Sequence, residues 1–304
     1  MLTLRLAVNT YAFHWSFPEI LADSLGLFAK RGVKVVWADA TPAGVVDKTS
    51  MYTDLLRDGL TDIYHAAEWG CINRVLKSDY SWIIAKSLPG EGTLNSSFSL
   101  YTLGNAAITS PEDLVGKKVA IEEGTGAQYT TVLDLERFVP VKEVHLVQTG
   151  EPHRRLKALL NGEVDAASLV GPWADVGKAL GLKLVLKTAR NNPTTIVARR
   201  DTAPDLLKGF FGATNEAIGL IDHDPSTYRE EYFMRVKTML TELDLPVEAE
   251  SLKGDVTVSR WEKWIQYQVA DFEKAYRWMI DRGFARGGRD ATGLVGTYPP
   301  SVFA

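Results

Sequence analysis

Four short stretches hold the side chains whose types and spacing suit chemistry. Asn9, Tyr11, His14 and Trp15 follow one apolar run, and His65, Glu68 and Trp69 follow a second. Glu122, Gly124, Thr125 and Gly126 follow a third, and Ser168, Gly171, Pro172 and Trp173 a fourth. The third is the most telling, reading I-E-E-G-T-G-A-Q-Y from Ile121 to Tyr129. It joins an apolar run at 117–121 to a helical pattern from Tyr129 to Phe138. A strand that becomes a helix through Gly-Thr-Gly leaves backbone N–H groups free at the helix start. With the positive end of the helix dipole, those donors suit an anion. The glycines let a ligand approach the backbone closely. The spacing is no dinucleotide fingerprint, because Tyr129 stands where the third glycine belongs. It is no phosphate loop either, because no Lys-Ser/Thr pair follows.

The other side chains suggest two kinds of chemistry. Tyr11, Trp15, Trp69 and Trp173 are large aromatics at loop–helix boundaries, suited to stacking on a flat ligand or caging a cation. His14, His65, Glu68 and Glu122 form an acid/base set, enough for proton abstraction, decarboxylation or hydrolysis around a bound anion. A glutamate buried against Trp69 would have a raised pKa and act as an acid. Each residue also has a plainer reading. A junction tryptophan can pack over a helix end, His65 can be a core histidine, and Glu68 and Glu122 can pair with a cationic ligand.

Such residues need a scaffold that brings them together. The chain has 304 residues, 45% apolar and 24% charged, which fits a globular protein of about two domains. A formal net charge of −4 argues against a nucleic-acid binder. Cys71 is the sole cysteine, so an internal disulfide and a cysteine metal cluster are excluded. No metal or cofactor signature is present. No run reaches the roughly 18 apolar residues of a spanning helix. The opening residues run straight into a strand, which leaves two expectations: a cytoplasmic protein if Met1 is the native start, or a periplasmic or extracellular one if a signal peptide was removed.

Strand and helix patterns alternate from Leu4 to Lys86 and again from residue 117 to 188, predicting parallel sheets flanked by helices. Ser16-Phe-Pro-Glu19 reads as a capping box opening a helix that Gly32 ends. Ser110-Pro-Glu-Asp113 reads as a helix start. Ser87 to Ser97 reads as a loop, Phe98 to Leu103 as a crossover strand, and a return crossover falls near Asn191-Asn192-Pro193. Residues 1–100 with 196–304 then make one lobe and 101–195 the other. Asp205 to Ile221 and Ser226 to Leu243 read as amphipathic helices. Ser259 to Arg282 reads as a helix whose Trp261, Trp264, Tyr267, Phe272, Tyr276 and Met279 form core. The tail from Gly283 wraps the first lobe. In open α/β sheets ligands bind beyond the carboxyl ends of the strands. A chain crossing twice between lobes can therefore turn all four stretches toward one cleft.

Several segments carry a family resemblance. They are Leu4-Arg-Leu-Ala-Val8 leading into Leu25-Gly-Leu-Phe-Ala-Lys-Arg-Gly32, then Gly59-Leu-Thr-Asp-Ile63 and Ser110-Pro-Glu-Asp-Leu-Val-Gly-Lys-Lys-Val119. Gly124-Thr-Gly126, Leu156-Lys-Ala-Leu-Leu-Asn-Gly-Glu-Val-Asp-Ala166 and Gly171-Pro-Trp173 follow. With these, residues 4–245 resemble the type II periplasmic-binding-protein superfamily, in its SsuA/THI5/NMT1-like sulfonate, nitrate and thiamine-precursor group. The resemblance implies an α/β fold of two lobes, each a mostly parallel sheet flanked by helices, with the ligand cleft between them. It implies a solute-binding protein for a small organic anion or aromatic compound, working with an ABC permease, with monomer as the default state. Ligand contacts would come from Asn9, Tyr11, Trp15, His65, Trp69, Gly124, Thr125, Gly126, Gly171 and Trp173. Some relatives of this fold are enzymes, so a cytosolic decarboxylase, lyase or hydrolase using His65, Glu68, Glu122 and His14 is the alternative. The chain departs from the pyrimidine synthase of thiamine synthesis. It has no cysteine-rich iron motif, and His65-Ala66-Ala67-Glu68 offers no lysine for a pyridoxal Schiff base.

Overall fold

The structure is a computed structural model that describes every residue except 45, 91–97, 189–192, 244 and 246. The chain begins with β1 (Leu2–Val8), α1 (Phe17–Ser24), α2 (Leu27–Lys30), β2 (Val33–Asp39) and α3 (Lys48–Arg57). β3 (Ile63–Ala67), α4 (Glu68–Val75), β4 (Ser81–Ser87) and β5 (Ser99–Thr102) follow. A second alternation runs β6 (Lys118–Ile121), α5 (Gly126–Leu135), β7 (His145–Gln148), α6 (Pro152–Leu160), β8 (Ala166–Leu169), α7 (Pro172–Ala179) and β9 (Lys183–Lys187). The last elements are β10 (Thr194–Arg199), α8 (Pro204–His223), α9 (Arg229–Leu243), β11 (Ile265–Gln266) and α10 (Val269–Asp281).

The strands form two sheets, ordered β11-β4-β10-β3-β1-β2 and β7-β6-β8-β5-β9. Strands joined by a helix pair in parallel: β1 with β2 and β3, and β6 with β7 and β8. The crossover strands break the pattern, β10 running antiparallel between β3 and β4, and β5 antiparallel between β8 and β9. The chain therefore passes to the second sheet between Ser87 and Ser99 and returns before Thr194. Most of the loop expected at Ser87 to Ser97, and Asn191 and Asn192 of the expected return, lie outside the described residues. A lobe boundary at 100/101 cuts β5, which belongs wholly to the second sheet. A boundary at 195/196 cuts β10, which belongs to the first.

β3 and β10 lie inside the first sheet, with their residues buried almost throughout. The twenty-residue α8 buries Leu207, Phe210, Phe211, Ala217 and Ile218 at helical spacing. Each fully buried large side chain there contributes about 1.5–3 kcal/mol. Val302 and Phe303 of the tail close over this cluster. Among the described residues no helix is long and apolar enough to cross a membrane.

Three local readings need correction. Ser16 makes no side-chain cap, because its backbone (φ −97°, ψ 14°) is not in the extended region a cap needs, and Glu19 is turned inward, with its Oε1 3.2 Å from His65 Nδ1. The helix expected from Ser259 begins only at Val269. Trp261 and Trp264 are buried in irregular backbone, where Trp261 Nε1 donates to the His14 carbonyl and the Trp264 N–H donates to Asn215. Ser110 does open a capping box, but only for a single turn, Pro111–Leu114, which Val115 and the left-handed Gly116 end.

Candidate functional site

A small cavity of about 70 Å³ lies where the carboxyl ends of both sheets meet. The first sheet supplies Asn9 after β1, His65 and Ala67 on β3, Gly70 and Arg74 on α4, and Lys48 at the start of α3. The second supplies Glu122 after β6, Thr125 and Gly126 opening α5, and Glu151, Pro152 and Arg155 opening α6. Trp15 and Phe98 close the wall. Strand ends form this wall because each strand stops where its helix turns back, leaving side chains of the junction facing the gap.

The cavity is dominated by charge. Lys48 Nζ bridges the lobes, 3.1 Å from Glu122 Oε2 and 2.7 Å from Glu151 Oε1. Asn9 Nδ2 donates to the same Glu151 oxygen at 2.7 Å. Arg155 Nη1 is 3.6 Å from Glu122, and its Nε donates to the Ser168 carbonyl at 2.6 Å. Burial pushes the Glu122 carboxyl up. Burial acts the same way on Glu151, but Lys48 and Asn9 outweigh it and hold that carboxyl below its ordinary range. Two carboxylates share one lysine, and the one with the extra donor keeps its charge more firmly.

Arg74 is different. It is buried, and its Nε and Nη1 have no hydrogen-bond partner. Its guanidinium carbon sits 4.2 Å from the centre of the Tyr52 ring and 5.2 Å from that of Tyr64. No carboxylate pairs with it among the described residues. An arginine does not shed its proton. Lys48, Arg74 and Arg155 thus face only Glu122 and Glu151, leaving at least one positive charge uncompensated in the lining.

Set into this wall is a second polar group inside an aromatic cage. The His65 ring is 6.2, 6.0 and 4.8 Å from the rings of Trp15, Trp261 and Trp264. His14 is fully buried beside Trp15, and burial pushes its pKa down to about 3, so it stays neutral.

The structure separates the residues singled out from the sequence. Asn9, Trp15, His65, Glu122, Thr125 and Gly126 line the cavity. Glu68 and Trp69 do not: they face the opposite side, in a groove with Lys86, Lys274 and Trp278. There Trp69 packs on Trp278 and Tyr129. Tyr11 packs against His153 outside the lining, its ring tilted by 57°, and its carbonyl accepts a hydrogen bond from Trp173 Nε1 at 2.7 Å. Trp173 is therefore a clasp between lobes, with no face left for a ligand. His14 sits behind the wall, against Gly171.

The glycines also serve a different purpose from the one expected. A Cβ on Gly126 would lie 2.6 Å from Phe98 and 2.8 Å from Ala67, and one on Gly171 would lie 2.6 Å from His14. Both permit close approach of the two lobes. Two donors of the Gly124–Gly126 turn are used within the protein: Gly124 N–H donates to Gln128, and the Thr125 hydroxyl donates to the Glu122 carbonyl. Lys48, Arg74, Glu151 and Arg155 were not singled out. The signal was present for two of them, since Glu151-Pro152 opens a helix directly after a strand and is a fifth junction of the same kind.

Comparisons with known proteins follow the same lines. Residues 92–227 match the family model described as NMT1/THI5 like. The alkanesulfonate-binding protein SsuA from Xanthomonas axonopodis pv. citri, bound to MOPS, is 18% identical, with 97% of this chain and 95% of that chain covered and a TM-score of 0.68. The periplasmic aliphatic sulphonate binding protein SsuA from Escherichia coli is 14% identical, with 97% and 92% covered and a TM-score of 0.69. A conserved Candida albicans gene product with the generic periplasmic binding protein structural fold is 16% identical, with 97% and 96% covered and a TM-score of 0.62. No curated protein sequence matches the chain. The chain has the two-lobed type II periplasmic-binding-protein fold, and its resemblance to the SsuA/THI5/NMT1-like group holds.

Proposed function

We propose that this chain is a solute-binding protein that closes its lobes on a small organic monoanion and delivers it to an ABC importer. The observation that carries the reading is Arg74, a buried cation facing the cavity without a carboxylate partner. An uncompensated buried charge is costly, and one bound anion removes that cost. The size of the ligand follows from the volume. One water needs roughly 10–15 Å³ measured this way, so 70 Å³ takes about five or six heavy atoms. That suits a carboxylate or sulfonate of one to three carbons, and an aromatic compound is too large. The relatives named for binding alkanesulfonates and aliphatic sulphonates support the anionic class, and delivery to an importer would place the chain in an exported compartment. Closure would be a hinge motion at the two crossovers.

Isothermal titration calorimetry with acetate, lactate and methanesulfonate tests the reading. At least one should bind, and Arg74→Met should weaken it by about tenfold or more, the worth of a hydrogen bond to a charged group. Binding unaltered in Arg74→Met, or no binding at all, would sink the anion site. Mass spectrometry should recover the ligand unchanged. Its consumption would favour the enzyme alternative, now resting on His65 and Glu122 without Glu68.

A further inference from the structure

Four buried polar atoms beside the cavity lack a hydrogen-bond partner: both carboxylate oxygens of Glu19 and both ring nitrogens of His65. Leaving such atoms unsatisfied is costly, so a cluster of them asks for a role. Glu19 is 2% exposed and His65 7%. His65 Nδ1 lies 3.2 Å from Glu19 Oε1, at hydrogen-bonding distance but off line. Catalytic and binding contacts are often misaligned in this way until a ligand tightens them. Trp15, Trp261 and Trp264 hold the imidazole on its edges. His65 lines the cavity and Glu19 lies behind it. The neighbouring His14 is held off by its own packing against Gly171.

We propose that Glu19 and His65 form a recognition pair: Glu19 accepts the Nδ1 proton of His65, and His65 Nε2 then accepts a hydrogen bond from the ligand. The partner of one imidazole nitrogen sets the tautomer and so the role of the other. This inference rests on the anion reading and narrows it. The ligand is a short acid with a donor at the end away from its anionic group. Charge decides which donor. An amino acid brings an ammonium group that finds no unpaired carboxylate among the described lining residues, because Lys48 holds Glu122 and Glu151 and Glu19 lies behind His65, whereas a hydroxyl needs none. The cavity is therefore assigned to a short hydroxy acid. Its anionic group lies at Arg74 and its hydroxyl at His65. Glu19 is a positioning residue, since it touches the ligand only through His65.

The probes are lactate, propionate and alanine, which differ at a single substituent. Calorimetry on the full chain should show lactate binding about tenfold tighter than propionate, as one hydrogen bond supplies, and tighter than alanine. His65→Phe should bring lactate down to the propionate level while changing propionate little. Glu19→Leu should do the same, and Glu19→Gln, which keeps an acceptor oxygen, should retain most of the preference. Imidazole ¹⁵N spectra give a readout that needs no ligand: the proton should sit on His65 Nδ1 in the native chain and in Glu19→Gln, and lose that preference in Glu19→Leu. Equal affinity for lactate and propionate, or a proton on Nε2 in the native chain, overturns the pair and leaves the anion site standing. Alanine binding tightest overturns the hydroxy-acid assignment. Failure of all three probes to bind overturns this contact, and the anion site falls with it if acetate and methanesulfonate fail as well.

Discussion

Five consecutive residues, His65 to Trp69, carry the chain from the end of β3 into α4, and the fold divides them between two environments. His65 and Ala67 line the inner cavity, while Glu68 and Trp69 face the outer groove against α10. Both sides bury glutamates, and Glu151 and Glu68 are treated in opposite ways. In the cavity Glu151 has Lys48 and Asn9 within 2.7 Å, and these donors hold its carboxyl below the ordinary range against burial. In the groove the Glu68 carboxylate accepts the Tyr267 hydroxyl, at 2.8 Å, and no other side chain among the described residues, and burial raises its pKa to about 7. Burial alone therefore does not mark a working carboxylate; the donors aimed at it set its charge. Glu68 has the raised pKa expected of an acid, yet it stands outside the cavity.

The largest break in this comparison comes from Lys48→Met. It strands Glu122 and Glu151 in the interior without their shared cation, and loss of one partner from a buried pair costs about 3–5 kcal/mol. Urea unfolding at neutral pH should show a loss in that range. Little change would mean that water already solvates both carboxylates.

Glu68→Gln comes next. The Glu68 pKa is raised from 4.5 to about 7 in the folded chain, so its stabilising protonated form is complete below pH 4.5 and is lost as pH rises through 7. A displacement of that size corresponds to about 3 kcal/mol. The variant should match the native chain near pH 4.5 and exceed it by up to about 3 kcal/mol at pH 8. Parallel stability curves for the two proteins would refute the raised pKa. The smallest effect belongs to Trp69→Phe. Because Trp69 packs on Trp278 and Tyr129, the affinity for lactate should stay within about twofold, less than the loss of one hydrogen bond. A tenfold loss would put Trp69 back in the site.

Much of the architecture was legible because it is written in local periodicity. The alternation of short apolar runs and helical stretches located β1 to β4 and β6 to β9 within a few residues, while the helix read from Ser16 to Gly32 is divided into α1 and α2 at the left-handed Gly26. The failures occurred where a side chain had a distant partner. Ser16 and Glu19 match a capping box locally, yet Glu19 is drawn to His65, 46 positions along the chain. Trp261 and Trp264 keep an aromatic spacing that suits a helix, but they pack on His65 from irregular backbone. Arg74 carried no signal: within α4 it is one arginine among other polar residues. Only its orientation toward the cavity, without a carboxylate, makes it distinctive.

What the sequence determined by itself was the set of strand-to-helix corners, since a corner depends on residues a few positions apart. Which corners share a space, and which face of a corner meets it, was decided by tertiary structure. A strand alternates its side chains between two faces, and a helix start turns the next residues away, so His65 and Trp69 part company. Charge balance was decided there too. Lys48, Glu122 and Glu151 come from separate elements, and their electrostatic meaning exists only once the lobes bring them within a few ångströms.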